Sequence, residues 1–280
     1  MVRKIYILLL LALAGCTGIV IPESSPQIVV EGWIEEGRSP IVMVTTTVPV
    51  STDKKELSEL EKNVVRWATV SVSDGEKEVY LTGRRNDDYF PPYIYTTALL
   101  TGKAGTRYTL KVKYSGLHAI AETTIPEPHR LQSLRAEKSG EDNYVLVAGL
   151  EDREQTKDFY KFFIQVEGRD SAYTSSFLGL VDDEILSEEV NDIQVFNGFQ
   201  PSGMDLTQEK EMYFKQGDKV RVRLCTMDEQ VYRYWEDFDD VASLSLNPFF
   251  PVTKKIRTNI AGGLGYWAGY GSSYYYIECK

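Results

Sequence analysis

Ala68-Thr69-Val70-Ser71-Val72-Ser73-Asp74-Gly75-Glu76-Lys77-Glu78-Val79-Tyr80-Leu81 alternates apolar and polar side chains on either side of an Asp-Gly pair. The period of two is that of a half-buried strand, and Asp-Gly is a strong hairpin signal because Gly tolerates positive φ. Working outward, Ile28-Val29-Val30-Glu31-Gly32-Trp33-Ile34 has the same period, with Ile41 to Thr47 as its hairpin partner across Glu36 to Pro40. Further strands are expected at Tyr93 to Ala98, Arg107 to Tyr114 and Ala119 to Ile125, with a charged, partly helical excursion at Thr52 to Asn63. About seven short strands at this spacing argue a β-sandwich over 28–126.

Leu100-Thr101-Gly102-Lys103-Ala104-Gly105-Thr106-Arg107-Tyr108-Thr109-Leu110-Lys111-Val112 resembles the E–F corner and strand F of fibronectin type III domains. That resemblance implies that Tyr108 folds back to bond upstream backbone, with Leu110 and Val112 turned to the core. The alternative is a surface tyrosine on an arbitrary strand. Thr124-Ile125-Pro126-Glu127-Pro128 should end sheet pairing, since two prolines remove donors and hold the chain extended.

A second set of strands follows at Leu131 to Glu137, Tyr144 to Leu150 and Phe159 to Glu167. The last is apolar on much of both faces, which predicts a central strand. After the less regular 170–216, Lys219 to Met227 restores a strand with Val220, Val222 and Leu224 inward and Arg221 and Arg223 outward. Asp228 reads as the N-cap of a helix over 229–244, whose apolar stripe is Tyr232, Trp235, Phe238, Val241 and Ala242. The expected fold class is mainly β: an immunoglobulin/fibronectin III-like sandwich at 28–126, then a β-rich domain at 127–280 with one C-terminal helix.

The N-terminus adds an address. Arg3 and Lys4 precede an apolar run from Ile5 to Ala12, too short to span a bilayer but shaped like a secretory signal. It ends in Leu13-Ala14-Gly15-Cys16, which resembles the lipobox of bacterial lipoproteins; an ordinary secretory signal with an incidental cysteine is the alternative. The resemblance implies removal of 1–15, acylation of Cys16 and a tether over 16–27, so that the chain meets the membrane through lipid. The first acid after Cys16 is Glu23, which leaves surface and periplasmic facing both open. In an oxidising compartment Cys225 and Cys279 would be free to form a bridge or to remain two separate buried thiols.

With Lys+Arg 31 against Asp+Glu 41, the net charge of −10 argues against nucleic acid as a partner. His118 and His129 are the two imidazoles and no CxxC is present, so neither a metal site nor a cofactor is expected. Gly-x-Ser-x-Gly and His-Glu-x-x-His are absent, and acid pairs such as Asp182-Asp183-Glu184 and Glu236-Asp237-Asp239-Asp240 suit solvated faces as well as chemistry. No catalytic residue is therefore assigned.

Near the C-terminus, Asn247-Pro248-Phe249-Phe250-Pro251 and Thr258-Asn259-Ile260-Ala261-Gly262-Gly263-Leu264-Gly265-Tyr266-Trp267-Ala268-Gly269-Tyr270 resemble the closing signature of a Bacteroidota lipoprotein family catalogued as domain of unknown function 4249. The lipobox and the Val30 to Ile34 strand fit the same family. This resemblance implies a non-enzymatic outer-membrane lipoprotein acting beside a TonB-dependent transporter in nutrient uptake, with a small-molecule or peptide ligand; a structural or adhesin-type lipoprotein and a surface hydrolase are the alternatives. Read from the residues, glycines allow close backbone approach and flat rings offer stacking surfaces. Asn259, Gly262, Gly263, Gly265, Tyr266, Trp267 and Tyr270 are thus the candidate ligand or partner site, or else a bulged hairpin packing its rings on the helix at Tyr232 and Trp235.

Overall fold

The computed structural model describes residues 25–47, 61–153, 156–187, 189–198, 212–244 and 254–280. Cys16 with its leader, most of the excursion expected at Thr52 to Asn63, and Asn247 to Pro251 lie outside the described residues.

Strands β1 (Ile28–Glu35), β2 (Ile41–Thr46), β3 (Thr69–Ser73), β4 (Glu78–Tyr80), β5 (Thr82–Arg85), β6 (Tyr93–Thr96), β7 (Arg107–Tyr114) and β8 (Leu117–Thr124) make up the first half. The second half holds β9 (Ser133–Lys138), β10 (Asn143–Leu150), β11 (Phe159–Val166), β12 (Thr174–Asp182), β13 (Asn191–Val195), β14 (Phe214–Lys215), β15 (Lys219–Met227), the helix α1 (Glu229–Leu244) and β16 (Gly263–Glu278). The chain is mainly β with one described α-helix, as its periodicity predicts.

One eight-stranded sheet, in the order β12-β11-β15-β16-β1-β2-β6-β5, runs through both halves, and two four-stranded sheets pack against it. The sheet β4-β3-β7-β8 closes a first core of Val30, Ile34, Val42, Val44, Val70, Val72, Leu110 and Val112. The sheet of β9, β10, β13 and β14 closes a second core, in which Tyr144, Leu146 and Leu150 meet Tyr160, Phe162, Ile164, Val220, Val222 and Leu224. Thus β11 is an interior strand, and Val220, Val222 and Leu224 face the core as read in Lys219 to Met227; Arg221 is exposed, but Arg223, expected outward, is buried on the opposite face of the sheet.

Strand β16 joins the two sandwiches. Its first part pairs parallel with β1, from Ile28↔Gly263 to Glu35↔Tyr270, and its second part pairs antiparallel with β15, from Thr226↔Gly271 to Lys219↔Glu278. Its side chains alternate in strict period two. Trp267 enters the first core, Tyr275 and Ile277 pack on the second, and Tyr266 and Tyr270 face the opposite side. Between the cores the chain leaving β8 lies directly over β16: a Cβ at Gly269 would sit 2.5 Å from the Thr124 carbonyl oxygen, and one at Gly271 2.4 Å from that of Pro126. Pairing on β8 ends at Thr124, before the two prolines, and the four-stranded sheet that β8 belongs to stops in the first half, while the eight-stranded sheet continues across the halves through β16.

Local devices fit the reading. The Tyr108 hydroxyl accepts the Lys103 N–H at 2.9 Å, the fold-back of the corner motif, and Tyr108 is 1 % exposed. Asp228 caps α1 by accepting the Val231 N–H at 2.9 Å, while its other oxygen accepts from the Thr123 hydroxyl at the end of β8. Past the helix, Asp237 accepts the Arg257 Nε at 2.6 Å and the Lys254 Nζ at 2.7 Å, so these cations hold the carboxyl far below its usual range and lash the returning chain to α1.

The bridge between Cys225 and Cys279 is not formed: both are buried, free thiols. Cys225 stands opposite Ser272, whereas Cys279 follows Glu278, the partner of Lys219 at the other end of the ladder. That interval is roughly 20 Å at about 3.3 Å per residue, against the ~7 Å between Cα atoms that a disulfide tolerates. The two also face different cores, on opposite sides of the sheet.

Candidate ligand-binding cleft

The eight-stranded sheet has one face covered by the two smaller sheets. Its other face carries α1 and a third cluster of Phe159, Phe163, Met227, Val231, Tyr232, Trp235, Tyr266 and Tyr270. Beside the helix this face opens into a cleft of about 1640 Å³. Small-molecule pockets commonly fall in the range of roughly 300–1,000 Å³, so there is room for an extended or composite ligand.

Strand alternation builds the floor. Glu31, Trp33 and Glu35 are every second residue of β1, and Tyr266, Tyr270 and Tyr274 stand beside them on β16, with Arg223 of β15 and Phe163 of β11 continuing the row. Trp235, Phe238 and Asp239 of α1 form one wall. Tyr89 and Phe90 in the segment before β6, and Tyr173 and Phe177 around the start of β12, form the rest. Rings set the shape: Trp33 lies 5.9 Å from Tyr89, Phe163 5.5 Å from Trp235, and Tyr234 4.6 Å from Tyr266 between centroids.

The charged groups on this floor differ in their partners. Arg223 Nη1 donates to Glu35 Oε1 at 2.6 Å, and the Tyr274 hydroxyl donates to the other oxygen of Glu35. The Arg223 guanidinium is packed among rings, 4.4 Å from the Phe163 centroid and 5.0 Å from that of Tyr173. Arg38 lies 4.6 Å over Tyr274. Burial pushes the Glu35 carboxyl up, but Arg223 and Tyr274 overcome it and hold the group below its ordinary value. On the helix wall, Asp239 pairs at 2.9 Å with Lys161, whose side chain is fully buried. Glu31 has a different environment: it lines the cleft and accepts one hydrogen bond from the Tyr266 hydroxyl at 3.2 Å, and desolvation by the surrounding protein pushes its carboxyl up in spite of that bond.

The glycine-rich segment divides between fold and cleft. Asn259 accepts the Trp267 N–H at 3.0 Å and donates to the Trp267 carbonyl at 2.8 Å, bracing the strand. Trp267 is fully buried and donates its indole N–H to the Tyr108 carbonyl at 3.1 Å. Gly262, Gly263 and Gly265 lie against the carbonyls of His118, Ile28 and Val30, so the close approach they allow is to this chain's own backbone. Tyr266 and Tyr270 reach the cleft, where Tyr270 accepts the Trp235 indole N–H at 2.9 Å. From Gly263 the segment is the first half of a sixteen-residue strand in the middle of the sheet rather than a hairpin, while Tyr266 and Tyr270 do pack on Trp235 of the helix, as the alternative to a cradle expected.

Sequence reading did not single out Glu31, Trp33, Glu35, Phe163, Arg223 or Tyr274, which lie on four strands far apart in the chain. The signal present was local: two acids and a tryptophan on one face of an otherwise apolar strand, and an outward arginine on β15. The acids of the Glu236 to Asp240 run are each engaged, Glu236 by Arg233 and Arg257, Asp237 by Arg257 and Lys254, Asp239 by Lys161 and Asp240 by Lys254.

No curated protein matches the chain. A family model does, the one described as domain of unknown function (DUF4249), over residues 18–275. The match takes in every described strand but the last few residues of β16, so the shared sheet and the cleft above it lie within the matched region. On that coverage the chain belongs to the DUF4249 family.

Proposed function

We propose that this protein is a non-enzymatic, lipid-anchored binding protein of the outer membrane, which captures a ligand in the cleft above the eight-stranded sheet and works beside a TonB-dependent transporter. The observation that carries the reading is the cleft itself: about 1640 Å³, with an aromatic lining fixed by strands and a helix. Such a site is pre-formed, so little ordering cost opposes binding. The address rests on Leu13-Ala14-Gly15-Cys16 and the apolar run before it; acylation at Cys16 would leave the tether to stand the body off the bilayer. Among the described residues no helix is long and apolar enough to cross a membrane.

The test is a pull-down of tagged, lipidated protein from mildly solubilised outer membranes, compared with a Trp33→Ala, Phe238→Ala variant. Co-purification of a β-barrel transporter, together with a small molecule or peptide that the variant loses, is the expected result. Recovery of both proteins alone, with identical native masses, would overturn the reading.

A further inference from the structure

Three acids stand on the floor and helix wall of the cleft. Two carry their own cation: Glu35 has Arg223 at 2.6 Å, and Asp239 has Lys161 at 2.9 Å. For Glu31, no described lysine, arginine or histidine lies within ion-pairing distance, and its hydrogen-bond partner is the neutral Tyr266 hydroxyl at 3.2 Å. The Tyr266 ring in turn stands 4.6 Å from Tyr234 and 5.4 Å from Trp235, and Trp33 follows two residues along the same face of β1. A carboxylate beside several electron-rich ring faces is the arrangement that recognises an organic cation, because charge attraction and the ring quadrupoles act in the same sense.

We infer that Glu31, with Tyr266 and Trp33, forms a subsite of the cleft for an organic cation, an amine or guanidine belonging either to a free small molecule or to a lysine or arginine side chain of a peptide; the Trp235 ring behind Tyr266 already holds the Lys161 ammonium at 4.7 Å. This rests on the cleft being a ligand site and adds the chemistry of one end of the ligand. The floor is asymmetric: four residues beyond Glu31 on β1, the Glu35 charge is already neutralised by Arg223, so on the floor itself a ligand's cation has its charged partner at the Glu31 end, while Asp88 and Asp170 lie on the loop walls.

The test is isothermal titration of the intact protein with three peptides of one shape, N-acetyl-phenylalanyl-lysine amide and its norleucine and glutamate counterparts, and with choline as a free cation. The lysine peptide should bind at least tenfold more tightly than the norleucine peptide, and Glu31→Gln should remove that preference. Binding of choline as well would place the source among free cations; binding of the lysine peptide without choline would place it among polypeptides, and either supports the subsite. Equal affinity for the lysine and norleucine peptides would overturn the cation assignment while leaving the cleft as a binding site, and silence from all four probes would overturn both. The lysine-to-norleucine ratio needs no variant, so it stands even where Glu31→Gln does not fold.

Discussion

Glu35 and Arg223 show how a buried charge is tolerated in this sheet. The guanidinium is surrounded by Phe163, Tyr173 and Tyr270, and Glu35 is its ion-pair partner among the described residues. Glu35→Gln keeps the shape but leaves Arg223 charged in a ring-lined site, and removing one member of a buried pair typically costs roughly 3–5 kcal/mol. We expect a loss of about 3 kcal/mol at neutral pH in urea unfolding. The pH dependence has a definite sign. Because the folded-state pKa of Glu35 lies below its ordinary value, its contribution is complete above the unfolded pKa of roughly 4.3 and is lost as pH falls through the folded value. The gap between wild type and variant should therefore close on acidification; a gap that widens would contradict the pairing. Two further residues were readable in advance. Tyr108 and Asp228 act through bonds to backbone five and three positions away, and short-range partners of that kind are written in local sequence. Glu31, Glu35 and Arg223 were not readable as a set, since nothing local to β1 or β15 says that a third strand will bring them together.

At the level of elements, β16 is the piece on which the rest depends. Its glycines answer a packing demand: at Gly265, φ is +94° and an added Cβ would lie 1.8 Å from the Val30 carbonyl oxygen, inside the β1–β16 ladder. A side chain there meets both a left-handed backbone and a hard backbone contact with no flexible atom to yield. Gly265→Ala should consequently cost more than about 4 kcal/mol, the range reserved for a few severe mechanisms, and be recovered as insoluble or unfolded protein. Recovery of a soluble variant with native circular dichroism would show that β16 can slide or bulge away from β1. The sequence marked this segment as glycine-rich and aromatic, which is correct chemistry for close approach. It could not say whether the approaching backbone belongs to a ligand or to the same chain, because that depends on where residues far earlier in the chain, Ile28, Val30 and His118 among them, are placed. α1 was legible for the opposite reason: its cap, length and apolar stripe are all local.

For the whole molecule, the two sandwiches have separate cores but one sheet between them. β16 gives Trp267 to the first core and Tyr275 and Ile277 to the second, and the chain leaving β8 is pressed on it at Gly269 and Gly271. Melting either core frees half of β16 and exposes a long edge of the other, so the halves should unfold together. We expect urea unfolding followed by tryptophan fluorescence and by far-ultraviolet circular dichroism to give one coincident transition. Two separated transitions would show that the halves are independent in spite of the shared strand. The coupling also gives the cleft its rigidity, since its floor draws on β1 from one half and on β11 and β15 from the other, with β16 locked between them.

By itself the sequence determined the class of structure: strands of period two, a hairpin at Asp74-Gly75, a tyrosine corner, one capped helix, and a break in pairing at Thr124 to Pro128. It also determined an acidic surface charge and the lipobox-like leader that supports the address. These are properties of neighbouring residues, decided by alternation, turn chemistry and charge. Only the tertiary structure decided that the last strand enters the middle of the sheet parallel to the first, that Cys225 and Cys279 end up on opposite faces, and that the open face becomes an aromatic cleft with Glu31 at its floor. Strand order depends on which long-range pairing buries the most apolar surface across the chain, and no local pattern carries that information.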